Sequence, residues 1–158
     1  MSIGPHIPPA ADKPLFTPGP LTTSMTVKQV MLRDLGSRDH EFIAVVRRVR
    51  RKLLEVAGVS QEDGLEAIPL QGSGTFGIEA VMTCAVPHDG KWLIIVNGAY
   101  GDRMAKIAIV HRLDHVVLKY NEDTAPDPAD VDKTLSGDPR ITAVAIVHCE
   151  TTTGIMNP

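Results

Sequence analysis

Apolar positions along this chain follow two different rhythms. Up to about residue 60 they recur with helical spacing. MTVKQVMLRDLG predicts a short helix with Ser24 or Thr26 as its cap and Gly36 as its stop. Between residues 40 and 57, Phe42, Val45, Val46, Val49, Leu53 and Leu54 trace one helical face, and Gly58 supplies the stop. From residue 65 short apolar runs alternate with helical ones. LEAIPL predicts a short strand, QGSGT a turn and FGIEAVMTCAV a helix. KWLIIV predicts a buried strand, NGAYGDR a loop and MAKIAIVHRL a helix. HVVLKY then predicts a strand, DPADVDKTLSG a helix opened by Asp127 or Pro128, and ITAVAIVH a last strand. Strands separated by helices of this length form βαβ units, so the fold class expected is α/β, a mostly parallel sheet with flanking helices.

The first fourteen residues hold four prolines, and an extended arm is expected over 1–14. Residues 15–39 read as a turn-rich loop followed by the short helix, and 40–158 as part of one larger α/β domain. No internal repeat is present. A chain of 158 residues suffices for a sizeable core, and its 43% hydrophobic and 22% charged residues are ordinary for a globular protein.

A formal net charge of −3 gives no global reason to expect nucleic acid or an anionic membrane as partner. The basic stretch Arg47, Arg48, Arg50, Arg51 and Lys52 lies on a helix without aromatic or glycine-rich company, and reads as a solvated or subunit-facing edge. Cys84 and Cys149 form no CxxC pair, which favours a reducing, cytoplasmic setting. The amino-terminal residues lack the pattern of a signal peptide, and no apolar run is long enough to span a bilayer.

In parallel α/β sheets, ligands gather beyond the carboxyl ends of the strands. Three segments are expected there: 71–75, 97–103 and 148–153. QGSGT, just before a helix, offers backbone amides and the hydroxyls of Ser73 and Thr75 to a phosphate, with Gly72 and Gly74 permitting close approach. It matches neither the NTP P-loop nor the GxGxxG spacing, and a plain βα turn would use the same glycines. Tyr100 in NGAYGDR either lies against a planar ligand or packs on its own helix. Arg103 has two readings, half of an ion pair with a carboxylate such as Asp102 or Glu79, or a contact to a ligand anion, the structural ion pair being the safer. HCETTTG brings His148, Glu150 and three threonines. His148 and Glu150 lack a metal pattern, and His111 and His115 straddle a helix–strand junction, so no metal site is expected. A phosphate-like turn, an aromatic plate and a hydroxyl-rich turn on one rim suit a planar phosphorylated cofactor such as pyridoxal 5'-phosphate.

Taken together, TPGPLTTS, DLGSRDHEF, LQGSGTFGIEAV, NGAYGDRMAKIA and HCETTTGIMNP resemble the 2-aminoethylphosphonate–pyruvate transaminases, within the class V aminotransferases. The resemblance runs from about residue 15 to residue 158. It implies an incomplete pyridoxal-phosphate-dependent fold type I large domain, its amino-terminal part, working as a homodimer. The implied reaction moves an amino group from 2-aminoethylphosphonate to pyruvate, giving phosphonoacetaldehyde and L-alanine. It places Ser73, Gly74 and Thr75 at the cofactor phosphate, Tyr100 on the pyridine ring and Thr151 at a hydroxyl position touching that ring. Residues 17–24 match a loop near the substrate entrance, and in the separate motif GSRD, Arg38 stands where the family is expected to have an aromatic residue.

The resemblance also implies what this sequence lacks. Family members are longer, and their Schiff-base lysine, their aspartate at the pyridinium nitrogen and their carboxylate-binding arginine have no counterpart here. Lys91, Lys106 and Lys119 stand in no matching motif, so the 158-residue chain is expected to be inactive alone. The alternatives are another class V enzyme of the serine or alanine–glyoxylate type, and a non-catalytic fragment binding phosphorylated ligands.

Overall fold

The computed structural model describes residues 14–158, which fall into two compact units divided between Pro69 and Leu70. The expected proline-rich arm lies, apart from Pro14, outside the described residues.

In the first unit, α1 (Met25–Val30) is capped by the Ser24 hydroxyl, which accepts from the Val27 amide at 3.4 Å. The helix stops at Met31, well short of the predicted Gly36. The Gly36 amide instead donates to Asp39 Oδ2 at 2.7 Å, closing the turn that leads into α2 (His40–Ala57). α2 ends where predicted, at Gly58 in the left-handed conformation (φ 70°), which favours a residue without a Cβ. Of its apolar stripe only Leu54 is buried, whereas Val49 and Leu53 are exposed. Its arginines are partly paired. Arg50 reaches Glu66 at 2.7 Å and donates from Nε to the Ala67 carbonyl at 3.0 Å, and Arg51 pairs with Glu55 at 3.6 Å. A single 3-10 turn, Gln61–Asp63, follows, with Ser60 and Asp63 capping one another.

The second unit contains the sheet. Residues 65–70, expected as a strand, join no strand ladder among the described residues; Pro69 lacks the amide that a ladder requires. The chain enters instead through α3 (Gly74–Cys84), followed by β1 (Lys91–Val96), α4 (Ala99–Val110), β2 (His115–Lys119), α5 (Pro128–Gly137) and β3 (Ile141–Ala145). The three strands are parallel, in the order β2-β1-β3. β1 lies in the middle, which explains its unbroken apolar run, because a central parallel strand is covered on both faces. Trp92, Ile94 and Val96 point to one side, where they pack with Met82 of α3 and Met104, Ile107 and Ala108 of α4. Leu93 and Ile95 alternate to the other side and are also buried. The Trp92 indole donates to the Met82 carbonyl at 3.2 Å, so its burial leaves no polar atom stranded.

After β3 the chain does not remain a loop. Cys149–Glu150 and Ile155–Met156 pair as a small antiparallel hairpin, β4-β5, with Gly154 at φ 80° in its turn. The hairpin is fastened to the end of β1 by two buried amides. Asn97 Nδ2 donates to Asn157 Oδ1 at 2.8 Å and Asn157 Nδ2 returns a bond to Asn97 Oδ1 at 3.0 Å, each side chain being 2% exposed.

At the amino end of the sheet, Lys91 donates to Asp138 Oδ2 at 2.9 Å, joining the starts of β1 and β3. That ammonium, then the Arg140 amide, holds the Asp138 carboxyl below the usual carboxylate range. A carboxyl whose folded value is depressed stabilises the fold above its ordinary value of about 4, and loses that contribution as pH falls through the folded value. Asp138→Asn should therefore lower the melting temperature at pH 7, and the deficit should shrink towards pH 3; a deficit independent of pH would contradict this. Asn157→Ala should cost about 1–3 kcal/mol in urea unfolding, because it strands the buried polar atoms of Asn97.

Candidate cofactor site

α3 begins with amides that find no acceptor of their own. The first amides of any helix lack intrahelical partners. Here the Ser73 hydroxyl accepts from the Phe76 amide at 3.2 Å, while those of Gly74 and Thr75 have no acceptor among the described residues. A Cβ added at Gly74 would meet nothing within 4 Å, so the space before the helix is open and packing does not demand a glycine. Gly72 differs: a Cβ there would lie 2.6 Å from the Phe76 ring, so its smallness serves that ring.

The turn is connected to the second predicted segment by a side chain that the sequence reading assigned elsewhere. Arg103 pairs with neither Asp102 nor Glu79. Its Nη1 donates to Thr75 Oγ1 at 3.0 Å, and its guanidinium lies 4.9 Å from the centroid of the Tyr100 ring. The expected partners are engaged otherwise, Asp102 with Lys119 at 3.4 Å and Glu79 with His111. Arg103 on α4 projects towards α3, and a guanidinium gains from both a hydroxyl acceptor and an aromatic face. Thr75, Arg103 and Tyr100 thus form one continuous surface. One face of the Tyr100 ring carries the guanidinium, so a planar ligand must use the other face or displace Arg103.

Tyr100 is not a loop residue, because α4 starts at Ala99 and Tyr100 stands in its first turn. The N-cap position is Gly98, which has no side chain to cap with. Glu150 of β4 supplies the cap from fifty positions away. Its Oε2 accepts from the Tyr100 amide at 3.1 Å and from the Gly101 amide at 3.3 Å, and its Oε1 accepts from the Thr152 hydroxyl at 3.1 Å. Glu150 is 0% exposed and has no ion-pair partner among the described residues. A Cβ on Gly98 would come within 2.1 Å of Glu150 Cγ, so the glycine is the room that the carboxylate occupies.

The three threonines divide their tasks. Thr152 donates to the Glu150 carboxylate and Thr153 to the Glu150 carbonyl, at 3.1 and 3.2 Å. The Thr151 hydroxyl is exposed and has no partner among the described residues. Ser73, Gly74, Thr75 and Tyr100 are therefore linked through Arg103, and Thr151 directly follows the residue that holds the Tyr100 amide. Sequence reasoning missed Glu150, Arg103 as a link, and the Asn97–Asn157 pair. The one available signal was Gly98 at a helix start, where a capping side chain is usual and its absence asks for a substitute.

His115 begins β2 with Nδ1 2.8 Å from the Leu113 carbonyl, and His111 ends α4 against Glu79. Among the described residues no three His, Cys, Asp or Glu side chains are grouped as a metal would need, and no helix is long and apolar enough to cross a membrane.

No protein-family model matches the chain. Curated relatives do. A protein of Burkholderia lata named 2-aminoethylphosphonate–pyruvate transaminase 2 is 50% identical over 149 residues, covering 94% of this chain and 39% of that protein. A 2-aminoethylphosphonate–pyruvate transaminase of Syntrophobacter fumaroxidans is 49% identical over 91% of this chain and 38% of its own length. Among solved structures, the ureidoglycine–glyoxylate aminotransferase of Bacillus subtilis superposes with a TM-score of 0.80 at 28% identity, over 94% of this chain and 38% of that one. The pyridoxamine–pyruvate aminotransferase of Mesorhizobium loti gives 0.79 at 25%, over 93% and 37%. The chain spans about two-fifths of the length of the curated relatives that it matches. Over that stretch it is a homologue of proteins named 2-aminoethylphosphonate–pyruvate transaminase, and its α/β unit has part of the class V aminotransferase fold.

Proposed function

We propose that this chain forms the phosphate-holding and ring-stacking side of a pyridoxal 5'-phosphate site in a 2-aminoethylphosphonate–pyruvate transaminase. The observation that carries the reading is the start of α3, where two amides without acceptors open onto free space beside the Thr75–Arg103–Tyr100 surface. The donor set suits a phosphate: helix-start amides, two hydroxyls and an adjacent guanidinium all favour negative charge. Support for the substrate pair comes from relatives near 50% identity that carry this activity in their names, against 25–28% for the solved aminotransferases of other specificity.

In this reading the Gly74 and Thr75 amides, with the Ser73 and Thr75 hydroxyls, bind the phosphate. Tyr100 lies against the ring and keeps water from that side. The Thr151 hydroxyl, left unused by the protein, hydrogen-bonds at the ring edge. The cofactor, when bound, supplies the electron sink for moving an amino group from 2-aminoethylphosphonate to pyruvate. Lys91 lies at the amino end of β1, away from Tyr100, and is paired with Asp138; the ammonium of Lys119 is paired with Asp102. The proposal therefore assigns binding to these residues and no turnover to the 158 residues alone, and places the working protein in the cytoplasm as a homodimer.

The test is equilibrium binding of pyridoxal 5'-phosphate to the 158-residue protein, with inorganic phosphate as competitor. Gly74→Val should weaken pyridoxal phosphate about tenfold or more without lowering the melting temperature, because the added side chain meets ligand and not protein. Binding indifferent both to phosphate and to Gly74→Val would refute the reading.

A further inference from the structure

Glu150 is an expensive way to cap a helix. An ordinary N-cap side chain accepts from one or two amides of the first turn while remaining in water. Burying a carboxylate strips it of its hydration, a loss that its hydrogen bonds within the protein must offset. Gly98 has an extended backbone (φ 174°, ψ −176°) that any residue adopts, so Ser or Asp could stand there were the Glu150 side chain not in the way. Local capping alone does not explain the arrangement.

A cap at position 98 could not tie the hairpin to α4. The Glu150 carboxylate receives the Tyr100 and Gly101 amides on one side and the Thr152 hydroxyl on the other. Its backbone carbonyl receives the Gly154 amide at 2.8 Å and the Thr153 hydroxyl, which sets the shape of the turn carrying Thr151. One residue thus fixes both the backbone from which the Tyr100 ring projects and the turn from which Thr151 projects. We infer that Glu150 is the positioning residue that holds Tyr100 and Thr151 in register for a planar ligand. The inference rests on the proposed ring-stacking role of Tyr100. It also separates two helix starts: α4's is filled by the protein's own carboxylate, and α3's is left for an external anion.

The experiment compares pyridoxal 5'-phosphate with inorganic phosphate as probes of the 158-residue protein. Glu150→Asp keeps the charge but withdraws the carboxylate by one methylene. It should weaken pyridoxal phosphate about three- to tenfold, the range of one aromatic contact, and leave phosphate affinity unchanged. Glu150→Gln, whose amide oxygen can still accept from both amides, should restore most of the loss. In a Tyr100→Ala background Glu150→Asp should cost clearly less than in wild type, since the contact through Tyr100 is already gone and only the Thr151 contact remains to be lost. Equal weakening of both probes, or additive losses, would overturn the inference.

A ligand-free measurement keeps the two readings apart. In wild type the Tyr100 and Gly101 amides should exchange slowly and the Arg103 side-chain protons should carry a ring-current shift from Tyr100. Both signatures should be lost in Glu150→Asp. They should also be lost in Gly98→Ala, a second variant whose methyl displaces the same carboxylate. Persistence of both signatures in either folded variant would overturn the positioning role. Wild-type protein that binds no pyridoxal phosphate, yet loses these signatures on substitution, would sink the proposed function and leave the positioning of Tyr100 standing.

Discussion

A carboxylate removed from water has to find its donors within the protein. Glu150 finds them at the start of α4, and much of the second unit is arranged around that requirement. Gly98 must lack a side chain to make room, α4 must begin at Ala99 so that the next two amides point at the carboxylate, and the hairpin must fold back to carry it there. The Asn97–Asn157 pair closes the same junction from its other side. β1 makes this possible. Buried on both faces, it is the rigid element from which Asn97 and Gly98 emerge.

The same unit treats two similar helix ends in opposite ways. Both α3 and α4 present amides and a partial positive charge at their first turns. At α4 the protein satisfies them with its own side chain and seals the site. At α3 the Ser73 hydroxyl takes one amide and two remain open. Arg103 spans the two ends, anchored on α4 and reaching Thr75 at α3. An anion arriving at α3 therefore meets a guanidinium already in place, and that guanidinium rests on the ring proposed to stack on the ligand.

Where the sequence misled, local pattern competed with a partner that only the folded chain supplies. LEAIPL has the composition of a strand, but Pro69 has no amide to give a ladder, and among the described residues the segment joins no strand and is held by Arg50 instead. MTVKQVMLRDLG looked helical as far as Gly36, yet the helix ends at Met31 and Asp39 takes the Gly36 amide instead. Asp102 and Glu79 suggest themselves as ion-pair partners of Arg103, but both have other partners, Lys119 for Asp102 and His111 for Glu79. Cys149–Glu150 and Ile155–Met156 are too short for any period to show, so the hairpin was legible only as a polar turn.

Taken by itself, the sequence determined what depends on neighbours within a few positions. It marked the apolar run of the central strand β1, the extent of α2 with its glycine stop, the Asp127 cap of α5 whose carboxylate takes the Ala129 amide, and the glycine-rich turn before α3. Tertiary structure decided which of those parts meet. Thr75 and Arg103 are 28 positions apart, Tyr100 and Glu150 fifty, Asn97 and Asn157 sixty. Periodicity records whether a side chain faces the core or the solvent, but not which distant group awaits it there. That choice follows from the order of strands in the sheet and the crossing of α4 over it, which exist only once the chain has closed.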